Sequence, residues 1–115
     1  MTKQINVIED FHPFPAGRYL VDGDGNGTRF REDFLLPHLK AGEEVIIDLD
    51  GAPGYPSSFL EEAFGGLVRA SMSPDMIREL LRFHASKGYQ RYVTRIWEFI
   101  DQAAANKAKG GQIAG

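Results

Sequence analysis

The apolar run from Val45 to Leu49 constrains the fold of this chain more than any other segment. Turn-forming residues bound it, with Gly42 before it and a Gly/Pro-rich loop (residues 50–56) after it. A short apolar run between turns is typical of a central strand that is covered on both faces. Ligands and partners of open α/β sheets gather where such strands end. We therefore expect the functional surface around residues 55–58.

The rest of the chain alternates between strand and helix patterns, which predicts an α/β fold. Further strands are predicted at Lys3 to Glu9, Arg18 to Val21 and Leu81 to Ala85, where a continuation of the preceding helix is the alternative for residues 81–85. A helix capped by Thr28 is expected to end or kink near Leu36, because Pro37 follows.

Three further helices follow from apolar spacing and from start signals. Ser73 and Pro74 have the order of an N-cap and a first helical residue. The other two helices are predicted from apolar stripes, formed in one by Leu60, Ala63, Phe64, Leu67 and Val68 and in the last by Val93, Ile96, Trp97, Ile100 and Ala104.

Length and composition indicate one globular domain. The chain has 115 residues, of which 43% are hydrophobic and 25% are charged. We assign residues 1–105 to the domain, and we expect the small and polar residues 106–115 to form a flexible tail.

Charge and cysteine content exclude several classes of function. Thirteen basic and sixteen acidic residues give a net charge of −3, which disfavours direct nucleic-acid binding. Cysteine is absent, which excludes thiol catalysis and fits a reducing compartment. The polar start lacks the apolar stretch of a signal peptide, and no run approaches the roughly 20 apolar residues that cross a bilayer. We expect a cytoplasmic protein without membrane contact.

The serine pair before the second predicted helix suggests a helix cap. Ser58 and Glu61 have the Ser-x-x-Glu spacing of a capping box, in which both side chains bond to backbone amides. Ser57 lies just outside that cap, so its hydroxyl is expected to be the freer of the two.

The glycine-rich stretch Asp22 to Asn26 resembles the start of a calcium loop. The segment before it reads as a strand, and the twelfth position is the short Asp33 instead of a bidentate glutamate. We therefore expect no metal there, although a ligand- or ion-sensing role for this loop is the alternative to protein binding.

Catalytic signals are weak. Asp48 and Asp50 share a face of the central strand, yet no motif accompanies them, and the three histidines are scattered. We predict that the protein is not an enzyme and has no cofactor or metal site.

The chain resembles a bacterial family of STAS-like domains of unknown function, which is related in fold to the STAS domains of anti-sigma-factor antagonists. The likeness covers roughly residues 3 to 104 and is most specific in the Ser-Ser-Phe-Leu-Glu-Glu-Ala-Phe-Gly-Gly run of residues 57–66. The resemblance to the family also rests on residues 17–19, 22–23, 27–31, 48–51 and 97–100.

The resemblance implies a single STAS-like domain with a small mixed sheet of about four strands and helices mainly on one face. It also implies a regulatory module that binds a protein, with a histidine-kinase-like ATPase as the expected partner. The expected contact residues are Tyr55, Ser57, Phe59 and Glu62, with an exposed Phe59 as the anchor. Ser57 takes the place of the phosphorylated serine of the antagonists. Pro56 replaces the aspartate before that serine, and Glu61 and Glu62 would oppose a phosphate.

Overall fold

The computed structural model describes residues 1–114, with side chains described through residue 109. Three strands form its sheet: β1 (Thr2–Asn6), β2 (Glu44–Asp48) and β3 (Leu81–His84). The order is β1-β2-β3 and both pairings are parallel. The predicted central strand and last strand are therefore confirmed.

The sheet differs from the expectation of a mixed sheet with about four strands, because the described residues form three parallel strands. The segment from Arg18 to Val21 was predicted to be a strand but pairs with no other strand. It enters a 3₁₀ turn at Leu20–Asp22 instead. Strand β1 ends at Asn6, because a π-helical turn (Val7–Phe11) follows, with the Asn6 side chain accepting from the amide of Glu9.

The first helix, α1, is continuous over residues 27–40 and is made of Gly27–Arg29, a π segment at Phe30–Leu35, and Leu36–Lys40. Its N-cap is the buried Asn26, not Thr28, since the Asn26 side chain accepts from the amide of Arg29. Pro37 does not end the helix at Leu36. The π segment precedes it, and the Leu36 amide bonds to Arg31 O, five residues back.

The second helix, α2, covers residues 57–69 as Ser57–Leu60, a π segment at Glu61–Gly65, and Gly66–Arg69. Helix α3 (Pro74–Leu80) starts as predicted, with Ser73 accepting from the Met76 amide at 3.2 Å. A 3₁₀ turn (Lys87–Tyr89) leads into α4 (Gln90–Ala114). Residues 106–114, predicted as a flexible tail, are therefore helical, and Gly115 lies outside the described residues.

One face of the sheet is covered and the other is open. Ile5, Val45, Ile47 and Leu81 on the covered face are at most 1% exposed. The alternate residues of all three strands point away from the core and are exposed or half-buried; they are Thr2, Gln4, Asn6, Glu44, Ile46, Asp48, Arg82 and His84. The expectation that β2 is covered on both faces is wrong, whereas helices on one face agree with the burial pattern.

Candidate functional site

The loop after β2 is fixed by tyrosine hydroxyls. Tyr55 is 5% exposed, and its hydroxyl donates to Leu49 O at 2.8 Å. Tyr89 donates to Ala52 O at 2.6 Å, and Tyr92 packs edge-on against Tyr55 with ring centroids 5.1 Å apart. Burial raises the pKa of Tyr55 well above its usual value. Tyr55 is therefore a structural residue of this loop, and its expected position on a contact surface is wrong.

Phe59 is a core residue. It is 1% exposed, and its ring lies about 6 Å from the rings of Phe11, Phe30 and Tyr55. The expected exposure of Phe59 is wrong, because α2 packs against α1 and α4 and, through Phe64, against Phe83 of β3. Every residue from 59 to 68 is buried except Glu61, so the apolar stripe read from sequence is only part of the buried surface.

The start of α2 has no side-chain cap. Its N-cap is Pro56, and neither serine makes the predicted capping bond. The capping box of Ser58 and Glu61 is therefore wrong. Ser57, the first helical residue, is exposed as expected, whereas Ser58 is half-buried.

Glu61 and Glu62 take part in a network with three arginines. Glu61 accepts from Arg18 at 2.6 Å and from Arg69 at 2.7 Å. Glu62, at 8% exposure, accepts from Arg31 Nη1 at 2.9 Å, and the same nitrogen donates to Glu62 O. Glu62 is thus turned into the protein and is not accessible as a contact residue.

The pKa of Glu61 reflects two opposed effects. Burial alone would raise the pKa of this carboxyl, but the hydrogen bonds from Arg69 and Arg18 outweigh burial and hold the pKa below its usual value. Glu61 is therefore charged under neutral conditions and holds Arg18 against α2.

Four of the six exposed large hydrophobic side chains among the described residues lie in the loop between β1 and α1. We call Phe14, Tyr19, Leu20 and Val21 the apolar loop tip; their exposures are 66%, 55%, 67% and 92%. The expected contact residues did not include them. The sequence feature that could have indicated this surface is the run of three consecutive apolar side chains at residues 19–21. That segment does not pair as a strand.

Hydrogen bonds at the base of the apolar loop tip connect residues 18–22 to one another and to α1. The Asp22 carboxylate accepts from the amides of Arg18 at 3.1 Å and Tyr19 at 2.8 Å. Thr28 bonds to Arg18 O through its amide at 2.9 Å and its hydroxyl at 2.7 Å. The Arg18 side chain then ties this base to Glu61 of α2.

The loop of the alternative, ion-sensing function uses the side-chain oxygens of Asp22 and Asn26 internally. Asp22 caps the turn described above, and the Asn26 side chain accepts from Arg29 N and donates to Gly23 O. Within the described residues, the group of side chains that could together hold a metal ion lies elsewhere, at Asp48, Asp50 and His84. This arrangement does not favour ion sensing by residues 22–26.

Sequence reasoning missed the grouping of His84 with the two aspartates. Asp48 and His84 are paired in register on neighbouring strands, and Asp50 follows β2 directly. One ligand atom from each side chain lies within 4.8 Å of the others. The three positions are far apart in sequence, so only the parallel pairing of β2 and β3 brings them together.

Comparison with known proteins identifies the family. The model of the STAS-like domain of unknown function matches residues 26–88, more than half of the 115 residues, and the chain belongs to this family. No curated protein and no solved structure matches the chain. Within the described residues, none of the helices combines the length and apolarity needed to cross a membrane.

Proposed function

We propose that this STAS-like domain is a cytoplasmic, non-catalytic regulatory module that binds a protein through the apolar loop tip and the exposed start of α2. One observation carries the proposal. Of the six large hydrophobic side chains that are exposed among the described residues, four belong to the apolar loop tip. Three of these four, residues 19–21, are consecutive in the chain, and clustered exposed apolar side chains are characteristic of interaction sites.

The fixed base of the loop also supports a binding role. A surface held by its own hydrogen bonds loses less conformational entropy when a partner binds. Asp22, Thr28 and Glu61 supply these bonds from the turn itself, α1 and α2. The apolar loop tip is thus prepared for contact before a partner arrives.

The STAS resemblance supports a histidine-kinase-like ATPase as the partner and Ser57 as the candidate phosphoacceptor. Ser57 and Glu61 lie four residues apart on one helix, so they share a face, and Arg18 connects that face to the loop. Glu61 and Glu62 are matched by Arg18, Arg31 and Arg69. Their charge therefore opposes a phosphate on Ser57 less than the sequence suggested.

The test compares capture of proteins from a lysate of the native host by the tagged wild-type domain and by a Leu20→Ala/Val21→Ala variant. Truncating an interface anchor typically costs about 2 kcal/mol or more, a loss of roughly thirtyfold in affinity. We expect the variant to lose an ATPase partner that the wild type retains. Because both side chains are exposed, its melting temperature should stay close to that of the wild type.

Met76→Ala is the matched control, since Met76 is an exposed hydrophobic residue on α3, outside the apolar loop tip. The control should capture the partner as the wild type does. Equal capture by the loop variant, or loss in both variants, would contradict the proposed surface. A Ser57→Asp variant tests the phosphoacceptor separately, because it should change the measured affinity while Ser57→Ala should not.

A further inference from the structure

The open face of the sheet carries a row of polar side chains at its carboxyl-terminal end. Asn6 of β1 is in register with Asp48 of β2, and Asp48 is in register with His84 of β3. Residues in register on parallel strands point to the same side of the sheet. The row therefore places an amide, a carboxylate and an imidazole side by side where the strands end.

Asp50 joins this row from the turn after β2. Its Oδ2 lies 3.7 Å from Nε2 of His84. Its Oδ1 accepts from the amide of Ser86 at 2.8 Å and from the Ser86 hydroxyl at 3.0 Å. Asp48 Oδ1 likewise accepts from the Asp50 amide at 3.0 Å. Each carboxylate is thus oriented through one oxygen, and its second oxygen can take another partner.

The two carboxylates have little compensating charge. Among the described side chains, no lysine or arginine pairs with Asp48 or Asp50, and the one ion-pair partner of Asp50 is His84. The contrast with Glu61 and Glu62 is direct, because three arginines surround those two. A cation bound between Asp48 and Asp50 would relieve their mutual repulsion.

We propose that Asp48, Asp50 and His84 form a binding site for a divalent transition-metal ion. Carboxylate oxygens and imidazole nitrogens bind Zn²⁺ at about 2.0–2.2 Å, which requires ligand atoms roughly 3–4 Å apart. The three ligand atoms lie within 4.8 Å of one another, so they need only a small movement to contact the same ion. Nε2 of His84 already lies 3.7 Å from Oδ2 of Asp50, within the required range, and the exposed His84 side chain is free to rotate toward Asp48.

The surroundings leave room to complete the coordination shell. A cleft of about 490 Å³ opens beside the group and is lined by Asp48 and His84 with Gln4, Asn6 and Asp10. The cleft can admit the waters that would fill the remaining positions on the ion. The imidazole favours Zn²⁺ over Ca²⁺ and Mn²⁺, which prefer oxygen ligands. This site shares no residue with the surface in the proposed function, so either can fail without the other.

The experiment titrates the chelator-treated full chain with Zn²⁺, Mn²⁺ and Ca²⁺ by calorimetry, with a thermal melt at each end point. Wild type should bind one Zn²⁺ per chain more tightly than Mn²⁺ or Ca²⁺, and its melting temperature should rise with the ion present. His84→Ala should weaken binding by at least about tenfold. Asp48→Asn should do so as well, while its amide oxygen still accepts from the Asp50 amide.

His38→Ala is the matched control, because His38 also faces a carboxylate, that of Glu43 at 3.0 Å, at a distinct place. It should bind the ion as the wild type does. Without metal, the melting temperature of His84→Ala should match that of the wild type, since the side chain is mostly exposed. Wild-type binding no tighter than about 1 mM, or equal affinity in wild type and His84→Ala, would overturn the proposal.

Discussion

Replacing Arg31 with methionine should destabilise the domain strongly, because Arg31 is the main partner of the buried Glu62. The two side chains are only 12% and 11% exposed, and Arg31 Nη1 bonds to both the carboxylate and the backbone carbonyl of Glu62. Removing one partner of a buried ion pair costs about 3–5 kcal/mol. Arg18 remains 3.6 Å from Glu62 and offsets part of the loss, so we expect a cost near 3 kcal/mol.

Denaturant melts of wild type and Arg31→Met measure this cost directly, provided that the two curves have equal slopes. Arg95→Met is the matched control, since Arg95 pairs with Glu98 while both side chains are at least half exposed. The control should lose less than about 1 kcal/mol. Combining Arg31→Met with Glu62→Leu should restore part of the stability, because no buried charge is left without a partner. Equal costs for the two arginine variants would refute this reasoning.

Two further variants test the interior and the pH dependence of the network. Phe59→Ala should lower the free energy of unfolding by about 3–5 kcal/mol, as expected for a fully buried aromatic ring. An unchanged denaturant melt would show that Phe59 is exposed and not part of the core. Glu61→Gln should be less stable than wild type above pH 4.5, the usual pKa of this group, because the folded pKa of Glu61 lies lower. The stability difference between wild type and Glu61→Gln should shrink as pH falls through the folded pKa, because Glu61 is then protonated in both the folded and the unfolded protein. A stability difference that stays unchanged down to about pH 2 would contradict the role of the charge.

Local signals in the sequence predicted the elements that depend on local chemistry. The strand around Val45 follows from an apolar run between turn residues, and Ser73 followed by Pro74 gives the observed start of α3. These features depend on residues close in sequence. They could therefore be read without knowledge of the tertiary structure.

The start of α2 could not be predicted in the same way. Ser58 and Glu61 have the spacing of a capping box, but tertiary ion pairs with Arg18 and Arg69 compete for the Glu61 carboxylate. Phe59 lies off the stripe that a helix with a single buried face would need. It is buried because α2 packs on several sides at once. The spacing of apolar residues along the helix does not reveal such packing, because it indicates one buried face only.

A single residue of the open face, Ile46, explains why the sequence predicted that β2 is covered on both faces. Ile5 is the one apolar residue between Lys3 and Asn6 of β1, and β3 alternates Leu-Arg-Phe-His, a pattern that predicts one buried face. In β2, Val45 and Ile47 point to the core, and the apolar Ile46 made the strand look buried on both sides. Ile46 lies in register between Gln4 and Arg82, whose long side chains can cover it. A parallel sheet can therefore leave this face to solvent, and its polar row at the strand ends stays accessible to a ligand.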